Sequence, residues 1–203
     1  MAARTMTSDA SLSSAPAQAA RRAPASYRSC SYASPVGTLT LAAADDGLKG
    51  LWIEGQKYFA GTLDAPLEEG MDAHLERACT WLDAYFAGNA PALDALTLAP
   101  IGSAFRQTVW RILCEIPYGC VRTYGDVAKE AAARLGKARM SAQATGGAVG
   151  HNPISIIIPC HRVVGADGSL TGYAGGISKK LALLQAEGVD VSAFHVPQRS
   201  TAP

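Results

Sequence analysis

The sequence predicts an α/β (α+β) fold in two parts, a small antiparallel-sheet domain over residues 27–95 and a helical domain over residues 101–190. Three observations carry that expectation. Apolar and polar residues alternate in short runs from Tyr27 onward, separated by Pro/Gly and Asp/Gly turns, which is the pattern of a strand meander. From Ser103 the apolar residues recur instead at three- and four-residue intervals, as on one face of a helix. The charge also changes sign: residues 27–100 hold 4 Lys/Arg against 10 Asp/Glu, and residues 101–191 hold 10 against 6.

Taken in order, residues 1–26 are rich in Ala, Ser, Arg and Pro without aliphatic periodicity and are expected to be a disordered tail. Strands are expected over 27–34, over 38–43 after the turn Pro35, Val36, Gly37, and over 48–53 after Asp46, Gly47. Leu75, Cys79, Leu82 and Phe86 fall at helical spacing, and Gly88, Asn89 end that helix. Residues 90–100 read as the interdomain connection. Ser103 is a suitable N-cap for a helix carrying Phe105, Val109, Ile112 and Leu113, which stops before Pro117 and Gly119. Two short helices follow, 123–135 and 140–149, joined around Gly136 in the manner of a helix-turn-helix. A last helix, 178–187, comes after the glycine-rich loop 172–176, and residues 191–203 are expected to form a flexible tail.

At 203 residues and 48% hydrophobic content the chain can bury a substantial core. No window approaches the roughly 18 consecutive apolar residues of a membrane helix, and the first ten residues lack the apolar core of a signal peptide, so a cytoplasmic protein without membrane contact is expected. Five cysteines, 30, 79, 114, 120 and 160, form no C-x-x-C pair, and the odd count favours free thiols. The four histidines show no finger-like spacing with them, so neither a metal nor a cofactor is called for. The basic C-terminal half suits contact with a polyanion, because Lys and Arg neutralising phosphates supply most sequence-independent affinity for nucleic acid.

The chemistry is concentrated at Ile157–Val163, IIPCHRV. The thiol of Cys160 stands between a proline and an imidazole at the end of an apolar run, where a strand is expected to stop. Only a thiolate is a good nucleophile, and lowering a thiol pKa by about 3 units takes roughly 4 kcal/mol, more than a helix terminus supplies. A base is therefore needed. His161 is the nearest, although neighbours on a regular strand face opposite ways, so the Pro159 turn or a bridging water has to connect them. Glu187 is the best-placed carboxylate to orient the imidazole. A cysteine hydrolase would use the same three residues, but it also needs an oxyanion hole, which no motif here specifies.

Several motifs in order then resemble one family. GGAVGHNPISIIIPCHRVVGADGSLTGYAGG, with FRQTVW at 105–110, RTYGDVAK at 122–129 and AEG at 186–188, resembles the O6-alkylguanine-DNA alkyltransferases over residues 102–188. The resemblance implies a ribonuclease H-like N-terminal domain and a winged-helix-like C-terminal domain. It implies direct repair of double-stranded DNA, in which an alkylated guanine (or thymine alkylated at O4) is flipped out and its alkyl group moves irreversibly to Cys160. Flipping is required because a side chain cannot reach the alkyl carbon within the stack. By the same resemblance His161 is a water-mediated base, Glu187 its partner, Asn152 the holder of the active-site turn, and Tyr124 a proton donor to the departing guanine. Val163, Tyr173 and Ala174 would line the base pocket, Gly146 and Gly147 would let the recognition helix approach DNA, and Arg106 and Arg162 would join the DNA contacts. A monomer without cofactor or obligate protein partner is implied.

One position departs from the family pattern. Gln143 stands where family members usually carry an arginine that fills the gap left by the flipped base. The missing cation predicts slower repair. It also motivates the alternative of a lesion sensor or DNA-binding regulator with weak transfer activity, although relatives that only bind lesions have tryptophan in place of the cysteine present here.

Overall fold

A computed structural model describes residues 25–196. The expected tail before residue 25 and the residues after 196 lie outside the described residues. The N-terminal half is a four-stranded sheet in the order β3-β2-β1-β4, formed by β1 (Tyr27–Ser34), β2 (Gly37–Ala44), β3 (Gly47–Ile53) and β4 (Leu67–Glu69). The first three strands make the antiparallel meander expected from their turns, whereas β4, too short to show alternation, pairs parallel to β1. Helix α1 (Ala73–Phe86) covers the sheet, its first turn capped by the Asp72 carboxylate, which accepts from the backbone of His74 and Leu75. Its buried face is Leu75, Ala78, Trp81, Leu82 and Tyr85, so the stripe is rotated from the expected one and Tyr85, not Phe86, points inward.

Strand β3 is an edge strand, and every one of its residues is buried. Its open edge is covered by two segments from further along the chain. Leu48 exchanges backbone hydrogen bonds with Thr97 and Ala99, and Leu51 does so with Pro153 and Ser155, each at 2.8–2.9 Å. The connecting stretch 90–100 is thus partly docked on the sheet, and so is the segment that leads to Cys160. One hydrophobic cluster runs through both halves, from Leu39, Leu41 and Leu51 to Trp110, Ile112, Val127 and Ile158.

The C-terminal half contains α2 (Ala104–Cys114), α3 (Tyr124–Arg134), α4 (Ala142–Gly150) and α5 (Ile177–Ala186), with a two-stranded parallel pair of β5 (Arg122–Thr123) and β6 (Val163–Val164). Ser103 caps α2 as expected, and Thr123 caps α3 in a reciprocal box with Asp126. Helix α3 ends in a Schellman motif: Gly136 N–H bonds Ala133 O and Lys137 N–H bonds Ala132 O, with Gly136 at φ 62°. That turn aims the chain into α4, completing the helix-turn-helix. Residues 191–196, expected within the flexible tail, instead fold back. Val191–Ala193 form a 3-10 turn and His195 exchanges backbone bonds with Gly168 and Leu170. Phe194 packs on a small cluster around Leu170 and Leu184, and burying that apolar surface is what holds the segment. Among the described residues no helix is long and apolar enough to cross a membrane.

Candidate active site

The apolar run before Cys160 is not a strand. Ile154 makes a single bridge to Leu51, after which the chain turns tightly: Ile157 N–H bonds Ser155 O at 2.8 Å around Ile156, and Cys160 N–H bonds Ile158 O at 2.7 Å around Pro159. The first is a γ-turn at φ 70°, a strained conformation for a β-branched residue; the second is the relaxed, inverse kind, with Pro159 at φ −80° and ψ 63°. Ile154, Ile156, Ile157 and Ile158 are all buried, so continuous hydrophobicity here reports burial on every side rather than a strand. Asn152 ties the turn from within. Its Oδ1 accepts from Ile154 N at 3.0 Å, and its Nδ2 donates to Ile154 O (3.3 Å), Ile158 O (2.8 Å) and Cys160 Sγ (3.0 Å).

Cys160 opens a 3-10 turn, Cys160–Arg162, and is only 5% exposed. Burial pushes its thiol above the ordinary range, opposed by the Asn152 hydrogen bond, the charge of Lys180 and the backbone N–H groups of Cys160 and His161. The resting group is therefore a thiol already surrounded by donors suited to a thiolate. His161 is fully buried, with Nε2 2.7 Å from Glu187 Oε1, while its Nδ1 has no hydrogen-bond partner within the described residues. Burial lowers the imidazole pKa against the opposing pull of Glu187, so the ring is neutral at rest.

Glu187 caps the C-terminus of α5, where a Schellman motif, Gly188 N–H to Gln185 O and Val189 N–H to Leu184 O with Gly188 at φ 76°, fixes the position of the carboxylate. Five donors meet it. Oε1 takes His161 Nε2, Arg162 Nη2 (2.9 Å) and Tyr85 Oη (2.7 Å); Oε2 takes Arg162 Nε (2.8 Å) and Gly119 N (3.2 Å). Burial alone would raise this carboxyl, but hydrogen bonds and charges from His161 and Arg162 more than offset it and bring it down to about 2. Arg162, expected among the DNA contacts, is corrected here. Its guanidinium is buried, is spent on Glu187 and on Ile116 O (2.6 Å), and lies over the Tyr118 ring. A buried cation is held where a carboxylate compensates it, and that partner lies inside the protein.

The expected pocket residues gather beside this cluster. Tyr124, the first residue of α3, donates its hydroxyl to Thr171 O at 2.9 Å, and its ring lies between Gly146 on α4 and Gly172. A side chain at Gly172 would collide with that hydroxyl at 2.7 Å. Tyr173 is buried with its hydroxyl unpartnered among the described residues, Val163 is buried in β6, and Ala174 accepts a backbone bond from Lys57 at 3.1 Å. Gly147 and Gln143 are exposed on α4, and beyond the helix's own backbone and the adjacent residues no described atom lies within 4 Å of where a Gly147 side chain would begin. Arg106 sits apart, half-buried in the first turn of α2, and makes no ion pair among the described residues. Away from the thiol, a depression of about 400 Å³ between α3 and the loop before α4 is lined by Lys129, Lys137, Arg139 and small residues including Ala128 and Ala132. No group of three or more His, Cys, Asp or Glu among the described residues is arranged to hold a metal.

Comparison with known proteins agrees with this arrangement in both halves. The model of the 6-O-methylguanine DNA methyltransferase ribonuclease-like domain matches residues 28–100, and that of the DNA binding domain of the same enzyme matches residues 104–189. The chain belongs to the 6-O-methylguanine DNA methyltransferase family. Its relatives in that family include the methylated-DNA--protein-cysteine methyltransferase of Methanosarcina barkeri, 43% identical over 168 residues, 76% of this chain and 92% of that protein. The protein of the same name from Mycobacterium bovis is 45% identical over 154 residues, 76% of this chain and 88% of that one. The crystal structure of Mycobacterium tuberculosis O6-methylguanine methyltransferase has a TM-score of 0.64 at 43% identity, covering 79% of this chain and 91% of that chain. M. tuberculosis OGT in complex with DNA gives 0.65 at 40%, covering 83% and 94%.

Within this methyltransferase-family site, sequence reasoning missed Tyr85, Lys180 and Gly119. Lys180 is fully buried on α5, with Nζ 2.5 Å from Val163 O and 2.9 Å from Thr171 O, and burial brings it down to about 8. Its signal was present: it falls on the apolar stripe with Leu183 and Leu184, where a lysine needs a compensating role. Tyr85 gave a weaker signal, because Phe86 fitted the same helical period.

Proposed function

We propose that this chain repairs alkylated DNA by transferring the alkyl group from O6 of guanine in double-stranded DNA to Sγ of Cys160, once per molecule. The observation that carries the reading is the buried thiol 3.0 Å from Asn152 Nδ2, beside a neutral His161 held at 2.7 Å by Glu187. The family membership and the relatives named methyltransferases favour transfer over the lesion-sensor alternative. The depression lined by Lys129, Lys137 and Arg139 supports DNA as the partner, met by the helix-turn-helix with Gly146 and Gly147 allowing close approach. A single copy acts in the cytoplasm, without cofactor or obligate protein partner.

In the step proposed, the thiol proton passes through a water to His161 Nδ1, whose lone pair has no partner among the described residues, and Glu187 stabilises the imidazolium. The thiolate, supported by Asn152, Lys180 and backbone N–H groups, displaces guanine from the alkyl carbon: the S–C bond forms as the C–O6 bond breaks, and its electron pair leaves with the base. Tyr124 turns its hydroxyl from Thr171 O toward the departing guanine as proton donor. Val163, Tyr173 and Ala174 wall the flipped base. The thioether is not reversed, which makes the reaction stoichiometric.

Incubation with duplex DNA carrying a labelled O6-methyl group should place one equivalent of label on the peptide containing Cys160, and Cys160→Ser should accept none. Multiple turnovers or label released to solvent would refute transfer. Gln143, exposed in the first turn of α4, supplies no cation to fill the gap beside a flipped base. Gln143→Arg should therefore speed transfer from duplex substrate by about tenfold, ~1.4 kcal/mol. Single-turnover rates check this, and an unchanged or slower rate would count against it.

A further inference from the structure

Glu187 Oε1 accepts from three side chains, and one of them comes from the other half of the molecule. His161 and Arg162 approach from the 3-10 turn, whereas Tyr85 Oη, 2.7 Å away, belongs to α1, 102 residues earlier in the chain. Resting on the reading of Cys160, His161 and Glu187 given above, we propose that Tyr85 is a positioning residue for alkyl transfer. Through it the N-terminal domain sets how strongly Glu187 holds His161, and hence how readily His161 takes the thiol proton.

The hydroxyl is delivered to a fixed place. The Tyr85 ring stacks on Trp81 at 5.3 Å and 11° and meets Tyr118 edge-on at 5.9 Å and 76°, while the Trp81 indole is itself tied to Ala92 O at 3.0 Å. Burial and the adjacent carboxylate both raise the phenol pKa, so Tyr85 remains a donor throughout the working range. A carboxylate oxygen that shares its lone pairs among three donors pulls less on each of them. With the Tyr85 hydroxyl in place, Oε1 holds the His161 Nε2 proton without drawing the ring into the imidazolium form, and Nδ1 stays available as a base. Without it, Oε1 becomes more basic, the pKa of His161 rises, and the unprotonated base exists only at higher pH.

The other groups facing this cluster do not titrate on the same limb. Arg162 is paired with Glu187, and burial raises Tyr118, Tyr124, Tyr173 and the Cys160 thiol. Lys180, brought down to about 8, loses its proton on the alkaline side. The acid limb of the rate profile therefore belongs to the His161–Glu187 pair.

The test is the single-turnover rate of labelled methyl transfer from O6-methylguanine duplex between about pH 5 and about pH 9, measured on the full chain. Wild type is compared with Tyr85→Phe and Tyr118→Phe. Tyr118→Phe also removes one phenolic hydroxyl at the same ring cluster, but that hydroxyl bonds Ala186 O and not the carboxylate. Tyr85→Phe should move the acid limb up by about one pH unit, with DNA affinity unchanged. Tyr118→Phe should leave the limb where it is. Replacing Tyr85 by 3-fluorotyrosine, a stronger donor of nearly the same shape, should move the limb the opposite way, and it decides the matter if the phenylalanine variant fails to fold. An unmoved limb in the variants at Tyr85, or an equal shift in Tyr118→Phe, overturns the proposal. Absence of label on wild-type Cys160 would instead overturn the transfer reading on which it rests.

Discussion

Glu187→Gln should destabilise the protein by about 3–5 kcal/mol, the usual cost of stripping one partner from a buried ion pair, and should slow alkyl transfer by at least ~10²-fold. The substitution keeps the shape of the side chain, so cavity formation does not enter. The charge is what changes. Arg162 is buried with Nε and Nη2 on Glu187, and a neutral amide leaves that guanidinium uncompensated. The amide also offers one oxygen where the carboxylate met five donors, so Tyr85, His161 and Gly119 compete for it. Transfer suffers because an imidazolium formed at His161 no longer faces an anion. Urea midpoints give the first number and single-turnover rates the second. The pH dependence has a definite sign. The folded-state pKa of Glu187 is depressed, from an ordinary 4.5 to about 2, so the stability it contributes is fully present above 4.5 and is lost as pH falls toward 2. At most about 3 kcal/mol of wild-type stability disappears across that window, and the Gln variant, already without it, should show a flatter acid limb.

The sequence carried the larger outline of this molecule for a physical reason: each legible element announces itself locally. The meander is bounded by turn pairs, α2 and α3 by Ser103 and Thr123 as caps, and the helix-turn-helix by Gly136. What escaped is set by tertiary context. The isoleucines before Cys160 carry a strand-like composition, yet Leu51 takes only one of them as a bridge and the Asn152 side chain satisfies backbone groups that a second strand would otherwise have paired. Composition cannot distinguish burial by neighbouring segments from burial within a sheet.

The same limit applied to charges. Arg162 was placed among the DNA contacts by the family resemblance, but a cation beside a nucleophile can serve either the substrate or the scaffold. The deciding fact is the position of Glu187 at the end of α5, which no local pattern encodes. Lys180 and Tyr85 were missed for related reasons, since their partners are carbonyls of Val163 and Thr171 and a carboxylate 102 residues away. Cys160 and His161, the proposed acceptor and base, are adjacent in sequence; the groups around them are assembled from both halves.

Asn152→Ala should cost about 1–3 kcal/mol of stability, because it leaves the buried Ile154 N–H without its partner, while Ile158 C=O loses one bond and keeps the one from Cys160 N–H. It also frees Ile156 from a turn it would not choose. A β-branched residue at φ 70° persists only where the surroundings over-determine it, and here the restraints are the Asn152 amide, the bridge to Leu51 and the two γ-turn hydrogen bonds. Removing the amide lets residues 154–158 relax toward extended backbone, which carries Cys160 away from the donors that support its thiolate. Loss of the Nδ2 contact to Sγ alone removes a hydrogen bond to a developing anion, about 1.5–3 kcal/mol, so transfer should fall about 10- to 100-fold even in molecules that remain folded. Asn152→Asp tests the contact to sulfur further. Aspartate keeps the acceptor for Ile154 N–H but sets a buried carboxylate oxygen against Ile158 O and Sγ with no cation paired to it among the described residues, so it should be no more stable than the alanine variant and transfer more slowly still. Equal rates in the two variants would mean that Asn152 acts only by holding the turn.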